Sequence, residues 1–425
     1  MIMNTLENKL VEWRRDFHRY PELGFLEMRT STLVASELER LGFVIQIGRE
    51  VMSAEHCLGK PSETETKAHM EWARENGAAE KYLDEVSEGY TGIVATWDTG
   101  RPGPTLAYRV DMDALPIYES TEESHVPLRK DFRSVNTEMH ACGHDAHTSI
   151  GLGLATMIAE NAEQLNGKIK LIFQPAEEGA RGAISMVRAG VVDDVDYFIA
   201  THIGIGVPQN HFVASNNGFL ATSKIDVTFK GISSHAGGKP EEGKNAMLAA
   251  ANAVINLSAV PRHSGGMTRI NVGELHAGSG RNVIADEAVL KVETRGETSE
   301  LNTYMKEYAE SVIRGAAQMH QVACGIELVG EGISAKGSPE VAEPLHECAE
   351  KTGLTSQVQS DEAAGSEDAT FFMDAVQKQG GYATYCVLGT DLAAGHHNEK
   401  FDVNEKSLLQ GVETLFKSAV KLTNE

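Results

Sequence analysis

The chain has 425 residues, 41% hydrophobic and 23% charged, an ordinary globular mixture long enough for two or three cored domains. Its net charge of −23, from 38 basic and 61 acidic side chains, repels nucleic acid and anionic lipid, and no basic block offsets it. No apolar run is long enough to span a bilayer, so neither nucleic acid nor membrane is expected as a partner.

The opening stretch, MIMNTLENKLVEWRRDFHRYPELGF, places Leu6, Leu10, Trp13 and Phe17 at helical spacing. That predicts an amphipathic surface helix. The apolar core and small-residue cleavage site of a secretory signal are missing, so a cytoplasmic location is expected. Residues 50–91, polar and helix-prone, lie between LGFVIQIGRE and the strand-like TGIVATWDTG. They predict a helical excursion on the rim, with Met70, Trp72, Tyr82 and Leu83 to bury.

Further along, apolar β-branched runs stop abruptly at polar groups. TLAYRV (105–110) meets Asp111, KIKLIF (168–173) meets QPAEEG, YFIAT (197–201) meets His202, and YATYCVLG (382–389) precedes AAGHHNEKF. Helical patterns intervene, such as Ile150, Leu154, Met157 and Ile158. Alternating strands and helices predict an α/β domain with a mixed, largely parallel sheet, whose chemistry gathers beyond the carboxyl ends of its strands. Residues 220–332 follow another order, β-α-β-β-α-β, which predicts an inserted ferredoxin-like domain. Residues 1–219 and 333–425 then make up the larger domain.

Five cysteines (Cys57, Cys142, Cys324, Cys348, Cys386) are few, odd in number and scattered, which suits a reducing compartment without a disulfide framework. Cys142 alone stands among other ligand types, in HACGHDAH (140–147). Thiolate and imidazole both accept transition metals, and Cys142 and His144, two apart, can reach one ion. The octet alone is equally compatible with a buried cysteine beside solvated histidines ahead of a helix. The strand ends add Asp111, Asp113, Glu177, Glu178, His202, His396 and His397. Each has a bland reading: the glutamates as a helix N-terminus, the histidine pair as a solvated loop, the aspartates as turn caps. Their joint occurrence favours a site for two divalent ions. One glutamate then binds metal while its neighbour takes a proton from water, the equipment for amide hydrolysis.

RRDFHRYPELGFLE, RVDMDALPI, HACGHDAH, FQPAEEGARGA, GISSHAGGKPEEGKNA, GSGRNVI and GSEDATFF occur in the order seen in the aminoacylase/carboxypeptidase metallopeptidase superfamily. The chain resembles its branch containing hippurate hydrolase and the auxin-conjugate hydrolases. Within that branch the helical insertion, THIGIGVP and LAAGHHNEKFD are similar to hydrolases of p-aminobenzoyl-glutamate, which implies cleavage of that amide to p-aminobenzoate and glutamate.

The resemblance implies Cys142, His144, Glu178, His202 and His397 as metal ligands and Glu177 as general base. It favours His397 over His396 because HNEKF aligns with the family's H-x-x-x-F. Asp111 stands where other branches have a metal-binding histidine, and Cys142 would supply the bridging ligand. Asp113 would orient a ligand. The inserted domain resembles the family's lid and dimerisation domain. Its His235 would reach a partner's active site and stabilise the oxyanion. Asn282, Arg281 and Arg295 would hold the substrate carboxylate. Two divalent ions in each subunit follow from the resemblance, manganese first and zinc as the alternative that thiolate softness favours. A homodimer, or a heterodimer with a homologous subunit, is implied as well. Of the rival readings, a zinc nucleobase deaminase lacks its P-C-x-x-C element. A non-catalytic partner subunit would not need to keep Glu177 and all five ligands. A general N-acyl-amino-acid amidohydrolase stays open.

Overall fold

The strands in chain order are β1 (Val44–Ile47), β2 (Ile93–Asp98), β3 (Thr105–Asp111), β4 (Lys168–Gln174), β5 (Tyr197–Ile203), β6 (His211–Val213), β7 (Ala221–Lys230), β8 (Thr268–Ala277), β9 (Glu287–Gly296), β10 (Ala323–Gly332), β11 (Thr355–Gln357) and β12 (Tyr382–Leu388). The structure is a computed structural model and describes residues 2–361 and 365–424. The chain divides into a larger unit (Met1–Gly218, Ala335–Ala364, Asp368–Glu425) and a smaller one (Phe219–Ser334, Gly365–Glu367).

The larger unit holds an eight-stranded sheet in the order β1-β2-β4-β3-β5-β12-β6-β11. Its centre, β4-β3-β5-β12, is parallel throughout and consists of the four apolar runs that end in polar groups. Continuous apolar strands suit a sheet covered on both faces. The antiparallel pairings, β1 with β2, β2 with β4 and β12 with β6, lie outside that centre. The sheet is therefore mixed, with its parallel part where the chemistry collects.

The helix His144–Glu160 is buried along most of its length, and the N-terminal helix Ile2–Arg19 packs against it, burying Leu6, Leu10 and Phe17. The excursion is helical, as Glu63–Glu75 and Glu80–Val86. Ser62 and Glu65 form a capping box at its start, and Leu83 and Val86 enter the core. All five cysteines are free thiols. Among the described residues, no helix is long and apolar enough to cross a membrane.

The smaller unit has a four-stranded antiparallel sheet ordered β10-β7-β9-β8, with helices Ala246–Ser258 and Ser299–Met319. Its second and third strands are adjacent, and the first lies between the third and the fourth. This is the split-βαβ arrangement. Alternate β7 residues Ile225, Val227 and Phe229 face a core shared with Ala249, Ala253, Leu290 and Ile313.

Candidate metal centre

Four strand ends and one helix start deliver the site. Asp111 ends β3 and Asp113 follows two residues later; Glu177 and Glu178 follow β4; His202 lies near the end of β5; His397 follows β12. Cys142 and His144 flank Gly143, which caps the helix His144–Glu160 with φ 97°. A Cβ at Gly143 would lie 2.7 Å from Ile203 Cγ2, so the turn that aims both neighbours inward requires glycine.

The five expected ligands fall into overlapping groups, each with ligand atoms mutually within 4.8 Å: Cys142, His144 and His202; Cys142, Glu178 and His397; His144, Glu177 and Glu178. Cys142 is common to the first two, as a bridging ligand must be. Asp113 organises the rest. Its Oδ1 accepts from the Glu177 N–H at 3.0 Å and lies 3.2 Å from His144 Nδ1, and its Oδ2 accepts from the Glu178 N–H at 2.9 Å. A carboxylate only accepts here, so a proton sits on His144 Nδ1, and Nε2 is the nitrogen left for a metal once the ring gives up its second proton. The turn carrying the glutamates is held from behind as well. Ala176 adopts φ 51°, and its N–H donates to Oε1 of the fully buried Glu27 at 2.8 Å.

Charge is crowded. Burial alone would favour a neutral His144, yet Asp111 and Asp113 hold it protonated well above the ordinary range. Cys142 and Glu178 raise His397 to about 10. Burial and Glu178 push the Cys142 thiol up, against the pull of His144 and His397. His202 is buried, with His147 and His396 as neighbours, and stays neutral, its pKa well below the usual value. Protons thus stand between carboxylates and thiol where a cation would carry the positive charge. Among the described residues, buried His144 Nε2 and Glu178 Oε1 have no hydrogen-bond partner, although His397 Nε2 is 3.3 Å from that oxygen. Imidazole nitrogens and a carboxylate gathered around a thiol, with protons where an ion's charge would sit, fit divalent-ion binding.

Asp111 is placed differently from a ligand. Its Oδ2 accepts from Arg109 Nη1 at 2.7 Å and its Oδ1 from His147 Nδ1 at 2.5 Å. Although burial works the other way, His144, His147 and Arg109 hold it ionised, well below the usual carboxylate range. His147 also accepts the Ile203 N–H at Nε2, so both its ring nitrogens are engaged. His396 is half-buried beside Cys142, with its pKa lowered by burial and by His147 and His397 to about 4.

A second buried network lies behind His144. Arg14 is fully buried and bonds Asp145 at 2.8 Å and Asp402 at 2.6 Å. His18 joins Asp145 at 2.8 Å to Glu119 at 3.0 Å. The helix read as a surface element thus carries a buried cation.

In the smaller unit, His235 and Val283 form an antiparallel bridge, and the Ala236 N–H donates to the Asn282 carbonyl at 3.0 Å. This sets His235 beside Asn282 and Arg281. The exposed His235 ring accepts the Gly237 N–H at Nδ1, 3.1 Å away, so Nε2 carries the proton and is free to donate. Arg295 is held by Glu293, at 2.9 and 3.1 Å, on its own strand.

The pattern of peptidase family M20/M25/M40 matches residues 107–421. The chain is 51% identical to one of the polypeptides of p-aminobenzoyl-glutamate hydrolase from Escherichia coli, covering 99% of this chain and 97% of that protein. It is also 51% identical to the indole-3-acetyl-aspartic acid hydrolase of Enterobacter agglomerans, covering 97% and 95%. The crystal structure of an aminobenzoyl-glutamate utilization protein from Klebsiella pneumoniae superposes with a TM-score of 0.87 at 44% identity, covering 99% and 97%. With matched pattern, relatives and fold in agreement, the chain belongs to peptidase family M20/M25/M40.

Proposed function

We propose that the protein is a divalent-metal amidohydrolase that cleaves p-aminobenzoyl-glutamate to p-aminobenzoate and glutamate. One observation supports the chemistry: Asp113 ties together the backbone N–H groups of the adjacent carboxylates Glu177 and Glu178 and the ring of His144, which suits one glutamate as ligand beside the other as base. The ligands are Cys142, His144, Glu178, His202 and His397, for two divalent ions per subunit, manganese first and zinc as the alternative. When bound, such ions polarise the amide carbonyl and lower the pKa of water. Glu177 takes a proton from the attacking water, whose oxygen adds to the carbonyl carbon. As the carbon–nitrogen bond breaks, Glu177 returns the proton to the departing nitrogen of glutamate. His235 of a partner subunit donates from Nε2 to the carbonyl oxygen as negative charge develops there.

The substrate choice is supported by the relatives, two of which are named for an aromatic acyl group on a dicarboxylic amino acid. A protein of net charge −23 repels such a dianion at long range, so local donors must capture it. Arg281 and Asn282, beside His235, suit that role better than Arg295, whose guanidinium faces Glu293. The equal identity to an indole-3-acetyl-aspartate hydrolase supports a second reading, a broader N-acyl-amino-acid amidohydrolase. We also infer a cytoplasmic dimer, with itself or with a homologous second subunit.

The test is turnover of p-aminobenzoyl-glutamate, indole-3-acetyl-aspartate, hippurate and N-acetyl amino acids. The chain is assayed alone and with a homologous second subunit, after chelation and after reconstitution with manganese or zinc. Activity lost on chelation, restored by metal and greatest on p-aminobenzoyl-glutamate is expected. Another substrate preferred by about tenfold, roughly 1.4 kcal/mol at the transition state, moves the assignment to the broader class. Full activity after metal removal overturns the metal chemistry.

A further inference from the structure

His202 Nε2 and His396 Nδ1 both lie 3.6 Å from Cys142 Sγ, yet the two rings cannot play the same part. The far nitrogen of each ring decides. His202 Nδ1 lies 2.8 Å from the Ile203 carbonyl oxygen, which only accepts. That nitrogen therefore holds the proton, and Nε2 turns a lone pair toward the site. His396 is reversed. The Ile205 N–H donates to its Nε2 at 3.0 Å, which leaves the ring proton on Nδ1, facing Cys142, whose sulfur is 3.6 Å away and whose backbone also draws on the ring. A lone pair can ligate a metal. An N–H cannot.

The backbone is shaped around the second ring. Gly204 has φ 84°, and a Cβ there would lie 2.8 Å from His396 Nε2. Ile205 takes φ 43°, a value rare for a β-branched residue, and from that position presents its N–H to the imidazole. Phe401 packs against the other side, with ring centroids 5.0 Å apart. The contorted THIGIG turn and the histidine doublet of AAGHHNEKF thus serve one contact.

We propose that His396 is a positioning residue that donates its Nδ1–H to the Cys142 thiolate. The bond draws electron density from the sulfur. It also fixes the remaining lone pairs, so that one sulfur can serve both ligand groups. This rests on the metal reading proposed above and is independent of the substrate.

The experiment loads the full chain with cobalt(II) and records the sulfur-to-cobalt charge-transfer band, bound cobalt per chain, and affinity by competition with a chromophoric chelator. In His396→Leu the band should move to longer wavelength and the dissociation constant rise by about 10–100-fold, with the same cobalt content at saturation. His396→Asn, whose amide N–H overlays Nδ1, should return the band toward wild type. Should the leucine chain fail to fold, His396→Gln replaces it, since its amide overlays Nε2 and leaves the sulfur without a donor. Band and affinity unchanged on loss of the donor overturn the proposal. So does loss of a cobalt equivalent, because His396 would then be a ligand. A wild-type chain that binds cobalt without a thiolate band refutes Cys142 as a ligand, and the metal assignment with it.

Discussion

Arg14→Met removes a cation from the interior while keeping most of the side-chain stem. Arg14 is fully buried and bonds Asp145 and Asp402, with Glu405 at 3.5 Å. Breaking a buried ion pair from one side costs about 3–5 kcal/mol, because the remaining charge stays desolvated. The structure places this case at the lower end. Asp145 keeps His18 at 2.8 Å and Glu405 keeps Arg15 at 2.6 Å, so Asp402 carries most of the loss. About 3 kcal/mol, at roughly 2 °C per kcal/mol for a body this large, lowers the melting temperature by about 6 °C. Thermal unfolding followed by circular dichroism measures it, beside the control Arg40→Met, whose exposed pair with Glu37 is worth about 0.5 kcal/mol or less. A loss for Arg14→Met no larger than the control's would refute the reasoning.

Glu177→Gln should keep its metal and lose about two to four decades of activity, whereas Glu178→Gln should bind less metal; normal turnover by the first removes Glu177 as base. Gly143→Ala should cost at least about 1–2 kcal/mol in backbone strain, read as a lower denaturant midpoint, and should reduce metal content. Burial opposes the charge on His18, but Asp145 and Glu119 raise its pKa from 6.5 to about 9. Its stabilisation, on the order of 3 kcal/mol, is complete below pH 6.5 and lost as pH rises through 9. Melting temperature should fall over that window, and His18→Gln should flatten that part of the slope. Mixed His235→Ala and Glu177→Gln chains, each inactive alone, should recover activity after subunit exchange; no recovery with exchange verified counts against a shared site.

The four central strands were legible because each is an unbroken apolar run closed by a polar residue. β6 and β11, three residues each, are too short to show a period. The candidate ligands stood out as unusual side chains at strand ends, and the choice among them came from the family resemblance. Apart from Asp113, which was expected to orient a ligand and meets His144, the partners that set their protonation were not legible. Arg14 and His18 extend the buried Leu6–Leu10 stripe at four-residue spacing, but charged residues in a helix ordinarily mark its solvated face. Only the carboxylates of Asp145, Glu119 and Asp402, brought from distant segments, make that burial tolerable. The same holds for His396. Its sequence position suggests a second candidate ligand, and its tautomer depends on a backbone N–H nearly two hundred residues away.

Asp113 receives the backbone of two successive residues and the ring of a third. The proposed base, carboxylate ligand and imidazole ligand therefore share one mount. A shift of Asp113 is therefore passed to the backbone of Glu177, the backbone of Glu178 and the ring of His144 at once. Adjustment to a longer or bulkier acyl group must then come from elsewhere in the protein.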